Sequence, residues 1–195
     1  MATVHAVAAA VIDQLGPMTA MKLQKLVYYC QCWHLARTDR LIFSDQIEAW
    51  RQGPVVPSLY HRHRGHYIID SWPHGDAATL SLDEQQSVDW VVDNYGAFSA
   101  IQLSRMTHNE LPWKLARVGL SDNAASNVAL RTDIIANFYS RQRADAETAV
   151  ALAVASSALE GVELDEDWQE RLRDVGNGTV SAEELIAEEI AQAAR

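Results

Sequence analysis

The chain has 195 residues, of which 48% are apolar, and a formal net charge of −10 at neutral pH. This length suits one domain with an appendage or two small domains. It contains no apolar run of about 18 residues, which excludes a membrane-spanning helix, and the N-terminus lacks the basic start of a signal peptide. We therefore expect a cytoplasmic protein.

The negative charge is unevenly distributed along the chain. Residues 1–144 hold 13 acidic and 13 basic side chains, whereas residues 145–195 hold 13 acidic and 3 basic ones. All of the net charge therefore belongs to the last quarter. This distribution argues against a nucleic-acid contact there and favours a basic partner or a solvated acidic face.

The first part of the chain has the periodicity of helices. Residues 2–15 place apolar side chains at helical spacing, and Gly16-Pro17 ends that helix. Thr19 can cap a second helix, whose apolar stripe runs through residues 23–34. The chain therefore begins with two consecutive helices.

The two cysteines, Cys30 and Cys32, fall within the second predicted helix. Residues two apart on a helix point to different faces, so we expect no disulfide between them. Free thiols are typical of a reducing compartment, which agrees with a cytoplasmic location.

A segment with strand-like content follows the second helix. Residues 41–43 and 46–50 are rich in β-forming side chains, and Gly53-Pro54 interrupts them. This pattern is compatible with a short β-hairpin. Pro57 then suits the first turn of a short helix.

Four further helices are predicted before residue 145. Residues 83–96 and 131–143 carry apolar stripes, and Pro112 can open a short helix. Ser99 followed by Gln102 forms a capping-box pattern at the start of another helix.

The last quarter of the chain differs in composition. Residues 145–161 are alanine-rich, with Asp145 and Gly161 as candidate helix caps. Asp165 can cap a helix that stops at Gly176-Asn177-Gly178, and Ser181 followed by Glu184 is a capping box for a last helix.

These elements predict a mainly α protein. Residues 1–144 would form a helical domain with the short hairpin, and residues 145–195 a module of three short helices. Few large apolar residues mark this module, so it must pack on the first domain or on a partner.

Three histidines lie close together in the stretch YHRHRGHY. On a helix, His61 and His63 would diverge by about 200°, while His63 and His66 would be neighbours. No carboxylate or thiol accompanies them, so we predict an exposed basic turn rather than a metal site. With Arg62 and Arg64, this turn could contact a small anion or a partner.

No other pattern indicates catalysis. Gly176-Asn177-Gly178 lacks the following lysine and the βα context of a phosphate loop, and so predicts a helix stop. No nucleophile, histidine and acid show a recognisable spacing. We expect no enzymatic activity, no cofactor and no catalytic residue, and we expect Trp33, Trp50 and Trp113 to belong to the core.

Residues 18–60 resemble the opening of the Panacea antitoxin domain, the SocA-like family, and the resemblance extends over about residues 5–140. It implies a mainly helical cytoplasmic domain that is paired with toxins of unrelated kinds, and one member delivers its toxin to a protease. Family-motif positions with a structural or partner-binding role would be Lys22, Lys25, Tyr28, Trp50, Gly53, Pro54 and Trp113.

The tail resembles a second family. Ser156, Glu160 and Gly161 fit the inhibitory motif of antitoxins that silence Fic toxins, and residues 145–192 are similar to the small VbhA-type antitoxin. The resemblance implies a Fic-domain toxin as the partner. Glu160 would pair with the toxin arginine that grips the γ-phosphate of ATP, with Ser156 in support and Gly161 letting the chain turn away.

Three alternatives remain open from the sequence. The chain could be an antitoxin or protease adaptor for a non-Fic toxin, with a purely structural tail. It could be a DNA-binding repressor of its own operon, although the neutral first domain and acidic tail weigh against nucleic-acid binding. A metalloenzyme that uses the histidine cluster has the least support.

Overall fold

The structure, a computed structural model, describes residues 1–121, 123–159, 163–177, 180 and 185. The chain divides into two compact units, Met1–Tyr139 and Ser140–Arg195, and each is described by itself. The described residues are mostly helical, with two short antiparallel sheets. The predicted mainly α class is therefore confirmed.

The first unit begins with α1 (Val4–Leu15) and α2 (Ala20–Thr38). The hydroxyl oxygens of Thr3 and Thr19 each accept a hydrogen bond from an amide three residues later, at 3.1 and 3.2 Å. Such a side-chain cap satisfies one of the amides that a helix start leaves without a partner. The cap predicted at Thr19 is confirmed.

The first unit has two pairs of short strands, and the sequence predicted only one of them. Strand β2 (Glu48–Trp50) pairs with β3 (Gly53–Val55) as the predicted hairpin, with Trp50 opposite Gly53. Strand β1 (Met18–Thr19) pairs with β4 (Ile68–Ile69), which periodicity did not predict.

The apolar stretch at residues 41–43 has two buried residues, Ile42 and Phe43, but forms no strand. Its backbone is held instead by the side chain of Gln31, whose Oε1 accepts from the Ile42 amide at 2.9 Å and whose Nε2 donates to the Phe43 carbonyl at 3.0 Å. A side chain therefore satisfies the backbone groups that strand pairing would otherwise satisfy.

Four more helices complete the first unit before its last helical segment: α3 (Pro57–His63), α4 (Leu82–Tyr95), α5 (Ala100–Asn109) and α6 (Leu111–Ala116). The capping box predicted at the start of α5 is present. The Ser99 amide donates to Gln102 Oε1 at 2.9 Å, and the Gln102 amide donates to Ser99 Oγ at 3.3 Å.

Helix α2 is the centre of the first unit. It contacts α1, α4 and α5, and most of its residues are buried. Trp33 and both thiols, Cys30 and Cys32, are buried in this core. Trp50 and Trp113, which were also expected in the core, are only half-buried.

The predicted division between a helix over 131–143 and another from 145 is wrong, because α7 runs from Thr132 to Leu159 as one helix. No glycine or proline lies within this span, and alanine favours helix continuation. Arg143 and Glu147 form an i,i+4 ion pair at 2.9 Å across the predicted junction. Asp145 therefore lies inside the helix rather than at its cap.

In the second unit, α8 (Glu166–Asn177) follows α7. Asp165 caps it as predicted, with its Oδ1 accepting from the Trp168 amide at 2.9 Å. The helix predicted after Ser181 lies outside the described residues.

Candidate functional site

The proposed inhibitory motif is only partly described. Ser156 lies in the last turns of α7 and its side chain is exposed, whereas Glu160 and Gly161 lie outside the described residues. Their assignment therefore stays a prediction.

One face of the C-terminal part of α7 is open. Leu152 is 67% exposed and lies four residues before Ser156, so the two share a face of the helix. Ala151 and Ala155 are exposed beside them. A face with one large apolar side chain among small ones allows another protein surface to approach the helix backbone closely.

Another face of α7 is covered within the second unit. Ala146 and Val150 are buried, and α8 approaches so closely that a β-carbon added at Gly176 would lie 2.9 Å from the Ala146 β-carbon. Glycine is thus required at this contact for steric reasons. Within the described part of this unit, the packing of α8 on α7 does not cover the face of Leu152 and Ser156.

In the first unit, the family-motif residues join the hairpin to α2 and α5. The Nζ atom of buried Lys25 donates to the Pro54 carbonyl at 2.9 Å. Gly53 has a φ of +99°, and a β-carbon there would lie 2.7 Å from both Lys25 Cε and Thr107 Oγ1. Only glycine suits this position, because of both its backbone conformation and its contacts.

The two half-buried tryptophans extend this arrangement to α6. The Trp113 indole nitrogen donates to the Trp50 carbonyl at 3.0 Å. The Trp113 ring stacks on His108 with centroids 4.1 Å apart, and the Arg117 guanidinium lies 5.0 Å from its centre. Arg117 also donates to the Ala49 carbonyl at 3.0 Å. These contacts hold strand β2 of the hairpin against α6 and against Arg117, which directly follows it.

Tyr28 belongs to a buried hydrogen-bond network around one carboxylate. Glu110 accepts from Tyr29 at 2.8 Å through Oε1, and from Tyr139 at 2.7 Å and Tyr28 at 3.5 Å through Oε2. Burial raises the pKa of Glu110, and the three tyrosine hydroxyls oppose that shift. Outside the network, Lys22 donates to the Gly96 carbonyl at 2.6 Å.

All seven family-motif positions therefore make structural contacts within the first unit. Sequence reasoning missed the buried carboxylate of Glu110 and the role of Gln24. The Gln24 side chain bonds both the amide and the carbonyl of Val56, at 2.8 and 3.3 Å. Gln24 lies on α2, where a polar side chain ordinarily predicts exposure, and Glu110 lies between α5 and α6, where no periodic pattern indicates burial.

The histidine stretch contains one buried and two exposed rings. His63 is buried, and its Nε2 lies 2.9 Å from Gln24 Nε2. Burial lowers the pKa of His63, which favours a neutral ring at pH 7. His61 and His66 are exposed. Among the described residues, no three histidine, cysteine, aspartate or glutamate side chains are grouped so that they could hold a metal ion.

A search of the described helices found none with the length and apolar character that crossing a membrane requires. Comparison with known proteins identifies two families. Residues 23–114 match the family described as antitoxin SocA-like, Panacea domain, and residues 147–191 match the family described as antitoxin VbhA. No curated protein and no solved structure matches the chain. The predicted succession of two antitoxin domains is confirmed.

Proposed function

We propose that this chain is the antitoxin of a toxin–antitoxin pair and that its C-terminal module inhibits a Fic-domain AMP-transferase. Both matching families are antitoxin families, which supports the antitoxin role. The match of residues 147–191 to the VbhA family carries the more specific proposal, because this range includes Ser156, Glu160 and Gly161.

The proposed mechanism uses one carboxylate. Fic enzymes transfer AMP from ATP to a hydroxyl group, and an arginine in their catalytic loop grips the γ-phosphate. Glu160 would form a bidentate, charge-assisted pair with that arginine. The pair would occupy the phosphate's partner and place negative charge where the γ-phosphate must lie, so ATP would be excluded or held in an unproductive pose.

The described part of α7 supports this mechanism physically. Ser156, one turn before Glu160 in sequence, is exposed and available for a supporting hydrogen bond. Leu152 offers an exposed apolar side chain on the same face. Since a stable complex buries about 1,600 Å² in total, contacts beyond this single face must contribute to toxin binding.

The test is co-purification with the product of the neighbouring gene, which we expect to be a Fic-domain protein, followed by an AMP-transfer assay. Glu160→Gly should leave the complex intact and raise AMP transfer at least about tenfold, since a charge-assisted bond contributes roughly 1.5–3 kcal/mol. Glu163→Gly is the matched control, because Glu163 is an exposed glutamate near the motif. Full inhibition by the Glu160 variant would refute the carboxylate mechanism.

The match of residues 23–114 to the Panacea domain favours a second candidate function. In that alternative, the first unit neutralises a non-Fic toxin or delivers it to a protease, and the tail is only structural. A chain that ends at residue 144 distinguishes the two. Neutralisation of the toxin by this shortened chain would make the first unit the antitoxin, whereas loss of neutralisation supports the tail.

A further inference from the structure

A cavity of about 350 Å³ lies between the start of α2, the β2–β3 hairpin and α3. The Trp50 and Tyr60 rings form part of its wall and meet edge to face, with their centroids 4.7 Å apart. Met21 and Val55 add apolar surface. Its volume is within the usual range for sites that bind small organic molecules, roughly 300–1,000 Å³.

The charged side chains of this cavity have one sign. No aspartate or glutamate occurs among the described residues that line it, whereas two arginines, Arg51 and Arg64, line it and stay charged at neutral pH. Residues 1–144 hold equal numbers of acidic and basic side chains. Arg51 and Arg64 therefore give this cavity a positive charge within an otherwise balanced segment.

Two arginines at the cavity form no ion pair with the residues that the structure describes. Arg51 lies in the hairpin turn and Arg64 directly follows α3, and both side chains are exposed. Neither forms an ion pair with another residue of the described ranges, where the ion pairs involve other cations. Guanidinium groups bind phosphate oxygens bidentately, so this pair is suited to hold an anionic group.

The positive character does not extend to the neighbouring cavity. A space of about 230 Å³ on the other side of His63 and His66 is lined by Arg62 and Trp72, but also by Asp70. Because a carboxylate is present there, that cavity is not a comparable anion site. Arg62 therefore provides a control for the effect of removing one positive charge from the same turn.

We propose that the cavity between α2, the hairpin and α3 binds a nucleoside phosphate, with Arg51 and Arg64 on the phosphate and Trp50 and Tyr60 against the base. Stacking of a base on an aromatic side chain strengthens binding by about 5- to 150-fold. An acidic peptide would use the arginines but not the aromatic wall. This assignment is independent of the proposed inhibitory role of the tail.

The test is calorimetric titration of the full chain with four probes: ATP, GTP, inorganic triphosphate and a hexaglutamate peptide. We expect the two nucleotides to bind and the triphosphate and the peptide to bind at least about tenfold more weakly, because neither can stack on the aromatic wall. Triphosphate that binds as well as ATP would show a site for oxyanions only and would overturn the proposal. Preferential binding of the peptide would reveal a protein-docking surface and would also overturn it.

Variants assign the binding to this cavity. Arg51→Ser and Arg64→Ser should each weaken nucleotide binding at least about tenfold, whereas Arg62→Ser should change it less than about twofold. Tyr60→Leu should weaken ATP binding while leaving the weak triphosphate binding unchanged. Circular dichroism of each variant checks folding. Absence of nucleotide binding, or binding that the three cavity variants leave intact, would refute the assignment.

Discussion

The buried Nζ of Lys25 donates a hydrogen bond to the Pro54 carbonyl at 2.9 Å. The neighbouring position, Gly53, has room only for glycine, because a β-carbon there would lie 2.7 Å from Lys25 Cε. The central helix and the hairpin are thus joined by an amine that has no carboxylate partner among the described ion pairs. This contact should make the free energy of unfolding depend on pH and should make the protein intolerant of a side chain at position 53.

The first prediction concerns pH. Burial lowers the pKa of Lys25 to about 7 from its ordinary value of 10.5. Between these values the unfolded chain binds more protons than the folded one, so the free energy of unfolding should rise with pH, by at most about 1.4 kcal/mol per unit. Lys25→Met should remove this contribution.

Urea unfolding from pH 7 to pH 8.5 measures the effect. The difference in unfolding free energy between the natural chain and Lys25→Met isolates the lysine from other titrating groups. Lys114→Met is the control, since Lys114 is exposed and its replacement should preserve the slope. An unchanged slope in Lys25→Met would contradict the assignment to the buried amine.

The second prediction concerns Gly53. Gly53→Ala should destabilise the first unit by about 2–4 kcal/mol, because it adds a clash with Lys25 and Thr107 to a strained backbone. Gly65→Ala is the matched control, because Gly65 has a φ of +89° and open space at its β-carbon position. Equal losses of melting temperature in the two variants would mean that the steric contact contributes nothing.

The third prediction concerns Glu110. Glu110→Ala should cost about 2–4 kcal/mol of unfolding free energy, because it leaves the hydroxyls of Tyr29 and Tyr139 without their acceptor. Glu110→Gln keeps one oxygen acceptor and should cost less. Chemical unfolding at pH 7 compares the two variants, and a larger loss in the glutamine variant would contradict the role of the carboxylate as an acceptor.

The carboxyl group of Glu110 should also make the free energy of unfolding depend on pH in the acid range. Burial raises the pKa of Glu110 above its ordinary value of 4.5. As pH rises from 4.5 through the folded-state pKa, the unfolded chain loses this proton first, so the stability contributed by Glu110 should fall. The stability difference between the natural chain and Glu110→Gln should decrease over this window, and a difference that increases would have the wrong sign.

The fourth prediction tests the contact of α8 with α7. Gly176→Ala would place a β-carbon 2.9 Å from that of Ala146, so it should accelerate hydrogen exchange in α8 despite the higher helix propensity of alanine. Adding Ala146→Gly should restore protection, because it removes the opposing β-carbon. Effects that are merely additive in this double-mutant cycle would exclude a direct contact.

The fifth prediction rests on the proposed Fic inhibition. Ser156→Ala should weaken inhibition of AMP transfer by about 2–10-fold, the loss expected for one neutral hydrogen bond. Ser157→Ala is the control, since Ser157 is the adjacent serine and is half-buried, whereas Ser156 is exposed. A larger loss of inhibition in the Ser157 variant would contradict the assigned face of α7.

Local signals predicted much of the fold. The caps at Thr19 and Asp165 and the capping box at Ser99 were readable, because each depends on side chains within three residues. The pairing of β1 with β4 was not, since two-residue strands about 50 positions apart leave no periodic signal. The division of α7 at Asp145 failed because a residue that favours caps is also tolerated inside an alanine-rich helix.

The two candidate sites also differed in how far the sequence could predict them. The motif at Ser156 is contiguous in sequence and could be proposed from spacing alone. The cavity beside Arg51 and Arg64 could not, because three separate elements form it. Local sequence patterns indicated only that the turn near Arg62 and Arg64 is basic, and the fold adds Arg51 of the hairpin and the aromatic wall to it.

Both thiols of the chain lie on the central helix with fully buried side chains, and burial raises the pKa of Cys30 and of Cys32. Alkylating reagents attack the thiolate, so labelling requires that the first unit opens. The rate of thiol labelling therefore measures how often the first unit opens. It can be followed in a toxin complex or in a cell lysate without introducing any probe, and it would report how long a bound toxin delays the exposure of its antitoxin's core.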